Sequence, residues 1–355
     1  MVTTRQAPRS PLTSPPPARP GDRVAIVSPS WAAPAVFPDV HEIGLRVVRE
    51  ELGLEPVEYP TTRQLNASAK DRARDLMDAF ADDSITSVMA TIGGSDEITV
   101  LPHLDPDAIR AHPTRFFGYS DNTNFLNYLW NLDIVSYHGG STFVHLARPG
   151  GLHPVSFGSL RDALFTDNTV ELAPVDTFTD FEPSWDDIST LDDEVPTEHD
   201  PGWFWRNDNR AVSGPTWGGN LEIIHWNLAA NRWIQPNDAY EGCVLILETS
   251  EEMPSHGEVF RMLRDFGERG LLGRFAAVVV GKPKAWGRDQ RNDAAARHQY
   301  REQQRDAVLR ALDTYIPEAL VVIGPDFGHT DPQYIVPYGG LMTIDGPSRR
   351  ITMTY

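Results

Sequence analysis

The run Phe116-Phe117-Gly118-Tyr119-Ser120-Asp121-Asn122 leads from what reads as a buried strand end into a segment, Asn124 to Leu132, with helical spacing. A serine at the apex of a strand-turn-helix elbow holds its hydroxyl clear of the sheet, and the N–H groups at the helix start point at whatever it attacks. The sequence departs from the usual Gly-x-Ser-x-Gly elbow, with Asn122 where the second glycine would be. Many such turns also carry Gly and Ser for geometry alone, so the downstream partners decide. A hydroxyl is a weak nucleophile until a base takes its proton, and that base needs an acceptor to orient it. His329, in Asp326-Phe327-Gly328-His329-Thr330-Asp331-Pro332, follows a buried strand ending at Ile323, while His138 and His145 follow the elbow and could face the same cleft. His225 falls on an apolar helix face and reads as a core residue. The apolar strand Val244-Leu245-Ile246-Leu247-Glu248 emerges on a carboxylate suited to orient an imidazole. For each residue a structural role, as cap, turn or solvated strand end, stands beside the chemical one.

The elements that must position these groups alternate. Val24 to Val27 reads as a strand, Ile43, Val47 and Leu52 as a helical face, and Ala73, Leu76, Met77 and Phe80 as the inner face of a helix capped by Ser68. Ile85 to Ile92 is a strand closing on Gly93-Gly94, and Glu97 to Leu104 is helix-like. Such alternation predicts a doubly wound parallel sheet, which takes ligands at the carboxyl ends of its strands, where both Gly93-Gly94 and Ser120 fall. The expected fold class is α/β, with an amino-terminal parallel-sheet domain carrying the serine elbow over 21–175. A smaller carboxy-terminal α/β domain over 215–355 carries the glutamate and histidine. Between them, 176–214 reads as an acidic, unstructured connection in which Trp185, Trp203 and Trp205 suggest a functional loop. Residues 1–20, with Pro15-Pro16-Pro17, read as a disordered tail.

Composition narrows the function classes. A net charge of −19 over 355 residues disfavours nucleic-acid polymers and anionic membranes, because both require a basic face. The single cysteine, Cys243, cannot form an internal disulfide and reads as a packed thiol, and no Cys/His spacing suggests a metal. No cofactor is expected. The amino terminus lacks the apolar core of a signal peptide, so a cytoplasmic protein is expected.

Five motifs occur in an order and spacing that resemble the Ser-Glu-His LD-carboxypeptidases: Ile92-Gly93-Gly94, Gly118-Tyr119-Ser120-Asp121, Gly218-Gly219-Asn220-Leu221, Leu245-Ile246-Leu247-Glu248 and Phe327-Gly328-His329-Thr330. The resemblance runs from Gly21 onward. It implies Ser120 as nucleophile, His329 as general base and acid, Glu248 as its partner, and an oxyanion hole from the backbone N–H groups of Gly94 and Asp121. It implies no metal, and a homodimer. Glu182 to Asp187, Trp203-Phe204-Trp205 and Gly219 to Glu222 resemble the microcin C self-immunity branch, which cleaves aminoacyl-nucleotides and stacks the base on a loop aromatic. Trp185 and Asn220 are then the expected substrate-binding residues. Alternatives are a murein tetrapeptide LD-carboxypeptidase of cell-wall recycling and a non-catalytic peptide- or nucleotide-binding protein.

Overall fold

The computed structural model describes residues 12–182 and 184–355. Two sheets organise the chain. The first has six strands in the order Val336–Tyr338, Ser136–His138, Arg115–Gly118, Ile85–Ala90, Arg23–Val27 and Glu55–Glu58. All pairings are parallel except that of Val336–Tyr338 with its neighbour. Val24 to Val27 and Arg115 to Gly118 are buried throughout, as a parallel sheet covered on both faces requires. Helix Ala69–Ala81 begins where Ser68 accepts the N–H of Asp71, and it buries Ala73, Leu76 and Phe80.

The second sheet has eight strands, ordered Thr169–Leu172, Arg350–Thr354, Leu341–Asp345, Ala211–Asn220, Val244–Glu248, Ala277–Val280, Leu320–Ile323 and Phe204–Arg206. The four from Ala211–Asn220 to Leu320–Ile323 run parallel to one another, and the flanking strands are antiparallel. Cys243 is fully buried just before the second of those four.

The sheets exchange strands, since Thr169–Leu172 joins the second and Val336–Tyr338 returns to the first. Helices Thr123–Asn131 and Leu221–Ala230 pack on each other, the first also on strand Ala211–Asn220, and buried polar pairs fix these contacts. The indole N–H of Trp217 donates to Asn127 at 2.9 Å, and Asn227 donates to Asn124 at 2.9 Å. Satisfied pairs of this kind fix one arrangement among many that apolar contact alone would allow.

Three expectations need correction. Residues 12–20 are not a loose tail: Leu12 and Ala18 are buried, Thr13 exchanges backbone hydrogen bonds with Asp133 and Val135, and Arg115 donates to the Pro15 carbonyl at 3.0 Å. The prolines restrict the unfolded chain there, which lowers the entropy lost on docking; residues 1–11 of the expected tail lie outside the described residues. Glu97 to Leu104 is two short 3-10 turns, Glu97–Thr99 and Leu101–His103, with Pro102 unable to donate to a longer ladder.

The acidic connection over 176–214 is also structured. Thr177–Phe178 pairs with Glu198–His199, Ile188–Asp192 forms a short turn, and Phe204–Arg206 is an edge strand. Its acids meet cations elsewhere. Glu198 takes Arg297 and Arg301, Asp180 takes Arg301, and Asp200 takes the buried Lys282. Acid density that reads as solvation in sequence is cross-linking in three dimensions.

Candidate active site

The carboxyl ends of both parallel arrays face a cavity of about 330 Å³, lined by Ser120, Gly93, Gly94, His145, Trp185 and His329 among others. Ser120 follows strand Arg115–Gly118 and has φ of 60°, the left-handed region that a side-chain-bearing residue enters at a cost of about 1–3 kcal/mol. Such strain persists only where the surroundings hold it. Here the neighbouring Asp121 accepts from Ser30 Oγ at 2.6 Å, from the Glu97 N–H at 2.9 Å and from Asn124 at 2.8 Å. Burial raises the Asp121 carboxyl against these bonds. Asn122, which stands in place of the elbow's second glycine, donates to the carbonyls of Ile92 and Tyr119. Gly93 lies so close that a Cβ there would stand 2.9 Å from Ser120 Cβ and 3.2 Å from the Asp121 nitrogen.

Glu248 ends strand Val244–Glu248 with its side chain fully buried. Its Oε2 accepts from His329 Nδ1 at 2.5 Å, and Oε1 accepts from Asn220 at 3.1 Å. Gly328, at φ of 99°, lets the histidine loop descend onto this carboxylate; a Cβ there would meet Glu248 Oε2 at 2.7 Å. The His329 ring packs edge-to-face on Tyr119, the residue before Ser120, with centroids 5.0 Å apart. Its Nε2 faces Glu251 Oε2 at 3.0 Å. Burial works against charge on this ring, yet the carboxylates of Glu248 and Glu251 outweigh it and push His329 up to about 10. Burial likewise raises the two acids, and the imidazole overrides it, holding Glu248 well below the usual range and Glu251 at about 2.

The other expected residues divide. Trp185 lines the cavity, edge-on to Phe37 at 5.6 Å and Phe143 at 5.4 Å. Trp203 and Trp205 pack on the core beside the second sheet's edge, Trp205 in register with Val322. Asn220 does not line the cavity: it is buried behind Glu248, accepts the Ile223 N–H at 3.0 Å, and its own N–H donates to Thr123 at 3.2 Å. His145 reaches the cavity, and burial lowers it to about 4. His138 is buried with Nε2 3.7 Å from Glu248, and His225 is half-buried against Asp265. No group of three or more His, Cys, Asp or Glu among the described residues could hold a metal ion. No helix among them is long and apolar enough to cross a membrane.

Sequence reasoning missed several groups. Trp31 and Phe37 follow the first strand's carboxyl end, where the strand-end rule could have found them. Glu251 sits in an acidic run that reads as a solvated turn. Nothing marked Glu97, whose buried carboxyl burial and then Asp121 push well above the usual range.

Residues 24–139 match the model of the LD-carboxypeptidase N-terminal domain, and residues 213–344 that of the C-terminal domain. The chain belongs to the LD-carboxypeptidase family. Within that family it is 25% identical over 332 residues to a Vibrio cholerae protein named as a carboxypeptidase, covering 92% of each chain. It is 25% identical over 296 residues to the microcin C7 self-immunity protein MccF of Escherichia coli, covering 81% of this chain and 79% of that one. The fold matches MccF in complex with glutamyl sulfamoyl guanosine, at a TM-score of 0.81 and 21% identity over 96% of this chain and 98% of the other. It also matches an MccF-like protein from Streptococcus pneumoniae in complex with AMP, at a TM-score of 0.82 and 24% identity over 94% and 99%.

Proposed function

We propose that this chain is a serine peptidase that hydrolyses an amide through an acyl-enzyme, with Ser120 as nucleophile, His329 as base and then acid, and Glu248 orienting the ring. The observation that carries the reading is the Glu248–His329 hydrogen bond of 2.5 Å on the wall of the cavity that Ser120 lines from strained backbone. Ser120 Oγ attacks the carbonyl carbon as its proton passes to Nε2, and the N–H groups of Gly94 and Asp121 receive the oxyanion. Donors of this kind typically contribute about 3 kcal/mol. Collapse expels the amine, which takes the proton from Nε2, and water then repeats the sequence to free the acid.

The substrate class we assign is the microcin C-like aminoacyl-nucleotide, so that the activity serves self-immunity or detoxification. Its support is the aromatic wall: Trp31, Phe37 and Trp185 meet edge-to-face in series, at 6.1 and 5.6 Å. A nucleobase stacked there would gain roughly 1–3 kcal/mol. The aminoacyl sulfamoyl nucleosides bound by MccF have this form. A murein tetrapeptide carboxypeptidase is the second reading, supported by a Bacillus subtilis relative named as a murein peptide carboxypeptidase, 26% identical over 267 residues.

Purified protein is incubated with aspartyl sulfamoyl adenosine and, separately, with a murein tetrapeptide. Cleavage of the first, abolished in Ser120→Ala while binding persists, is the expected result. Cleavage of the tetrapeptide alone moves the assignment to murein recycling, and binding without turnover of either makes the protein a sensor.

A further inference from the structure

The nitrogen of His329 that must take the serine proton is already occupied. Nε2 lies 3.0 Å from Glu251 Oε2, while Nδ1 lies 2.5 Å from Glu248. Carboxylates only accept hydrogen bonds, so both ring nitrogens donate and no lone pair remains for a hydroxyl proton. The two acids differ in kind. Glu248 is sealed from solvent, whereas the Glu251 side chain is 54% exposed and forms part of the cavity wall. Only Glu251 is therefore free to exchange its partner for a group on the substrate.

Of the cations that line the cavity, two are engaged by acids of their own and Arg288 is exposed to solvent, so Glu251 is open to a cation that the substrate brings. Lys284, on the same wall, is paired with Glu182 at 2.7 Å, and Arg148 with Asp331 at 2.6 Å. Tyr119 and His145 face the ring from the elbow side and bring no positive charge at neutral pH, burial holding His145 uncharged. In a reactive complex the carbonyl carbon stands about 3–3.5 Å from the attacking oxygen. An α-amino nitrogen is bonded to the atom next to that carbon, so it falls within reach of an acid that already touches Nε2.

Resting on the serine-peptidase reading, we propose that Glu251 is the acceptor for a free α-ammonium group beside the scissile carbonyl. The site then selects aminoacyl over N-acylated substrates, and the ammonium draws the carboxylate off Nε2. The imidazolium next loses its Nε2 proton to solvent, and the freed lone pair takes the proton of Ser120. No oxidant or further reactant enters. An empty site is thereby idle, and the substrate's own charge arms it.

The test compares wild-type protein and Glu251→Gln on aspartyl sulfamoyl adenosine and on its N-acetyl derivative, following kcat/KM against pH. The variant should lose at least about tenfold on the free-amine compound. It should gain on the N-acetyl compound, and there its acid limb should move to lower pH by more than about one unit, because the ring keeps a single carboxylate. Equal losses on both compounds with an unmoved acid limb would overturn the inference and leave the hydrolase reading standing. Turnover of neither compound by the wild-type protein would overturn that reading, and this inference with it.

Discussion

Asn220 donates its side-chain amide to Glu248 Oε1 at 3.1 Å while its side-chain oxygen accepts the N–H of Ile223 at 3.0 Å. One residue thus caps helix Leu221–Ala230 and fixes which oxygen of the buried acid is left for His329. Asn220→Ala should cost about 1 kcal/mol of stability through the lost cap. A hydrogen bond to a charged group contributes about 1.5–3 kcal/mol, so kcat should fall roughly 10- to 100-fold with KM nearly constant. Steady-state kinetics and urea unfolding check both numbers. A raised KM with unchanged kcat would instead return Asn220 to substrate contact, as the sequence suggested.

Gly93→Ala tests whether the elbow depends on close approach rather than on any side chain of its loop. The added methyl would stand 2.9 Å from Ser120 Cβ and 3.0 Å from its Oγ. Backbone on one side and a strained serine on the other leave little room to yield, and overpacking of this kind costs about 1–3 kcal/mol. Thermal unfolding should register that loss. Hydrolysis should fall more than about 100-fold, since a displacement of roughly 1 Å at the reacting atom has that effect. Wild-type turnover in the variant would mean that the nucleophile lies elsewhere.

The elbow, the strand-end glutamate and the histidine loop were legible because each is local: an apolar strand, a tight turn and one polar residue where the strand emerges. Asn220 makes one local bond, the cap to Ile223, yet its second runs to a residue 28 positions away, and no periodicity reports that. The acidic connection was misread for the same reason, because the arginines that order it belong to helix Ala294–Tyr315. Trp185 and Trp205 look equivalent in sequence. Only the pairing of Phe204–Arg206 with Leu320–Ile323 assigns the second to a sheet edge and leaves the first to the cavity.

The charged triplet at His329 should leave a signature in the pH dependence of folding. Its folded pKa, near 10, exceeds the ordinary value of 6.5, so its stabilisation is complete below about pH 6.5 and is lost as pH rises through 10. Glu248 and Glu251 are depressed, so theirs is complete above their ordinary 4.5 and is lost in acid, near pH 2 for Glu251. The triplet stabilises most between those limits. Urea midpoints measured at about pH 5.5, 8 and 10 should fall steadily for the wild-type protein. His329→Gln should flatten that slope, and a slope unchanged by the substitution would place the alkaline loss in other groups.

Under the proposed function, the aromatic wall would hold the nucleotide apart from the hydrolytic groups. Trp31 is 37% exposed at the cavity and edge-on to Phe37, so truncating it removes a stacking face with little loss of core packing. Trp185 also packs on Phe143, so Trp185→Ala should lower both stability and affinity. Loss of one stacking partner costs roughly 1–3 kcal/mol, about 5- to 150-fold in Kd. Calorimetric titration with AMP should show that weakening in Trp31→Ala or Trp185→Ala, and none in Trp205→Ala on the distant sheet edge. Because the Trp31 indole is none of the groups assigned to the hydrolytic step, kcat on an aminoacyl amide lacking a nucleotide should be the same in Trp31→Ala as in the wild-type protein. Should all three variants bind AMP equally, the wall serves packing alone and the nucleotide assignment falls, while the hydrolytic chemistry at Ser120 is untouched.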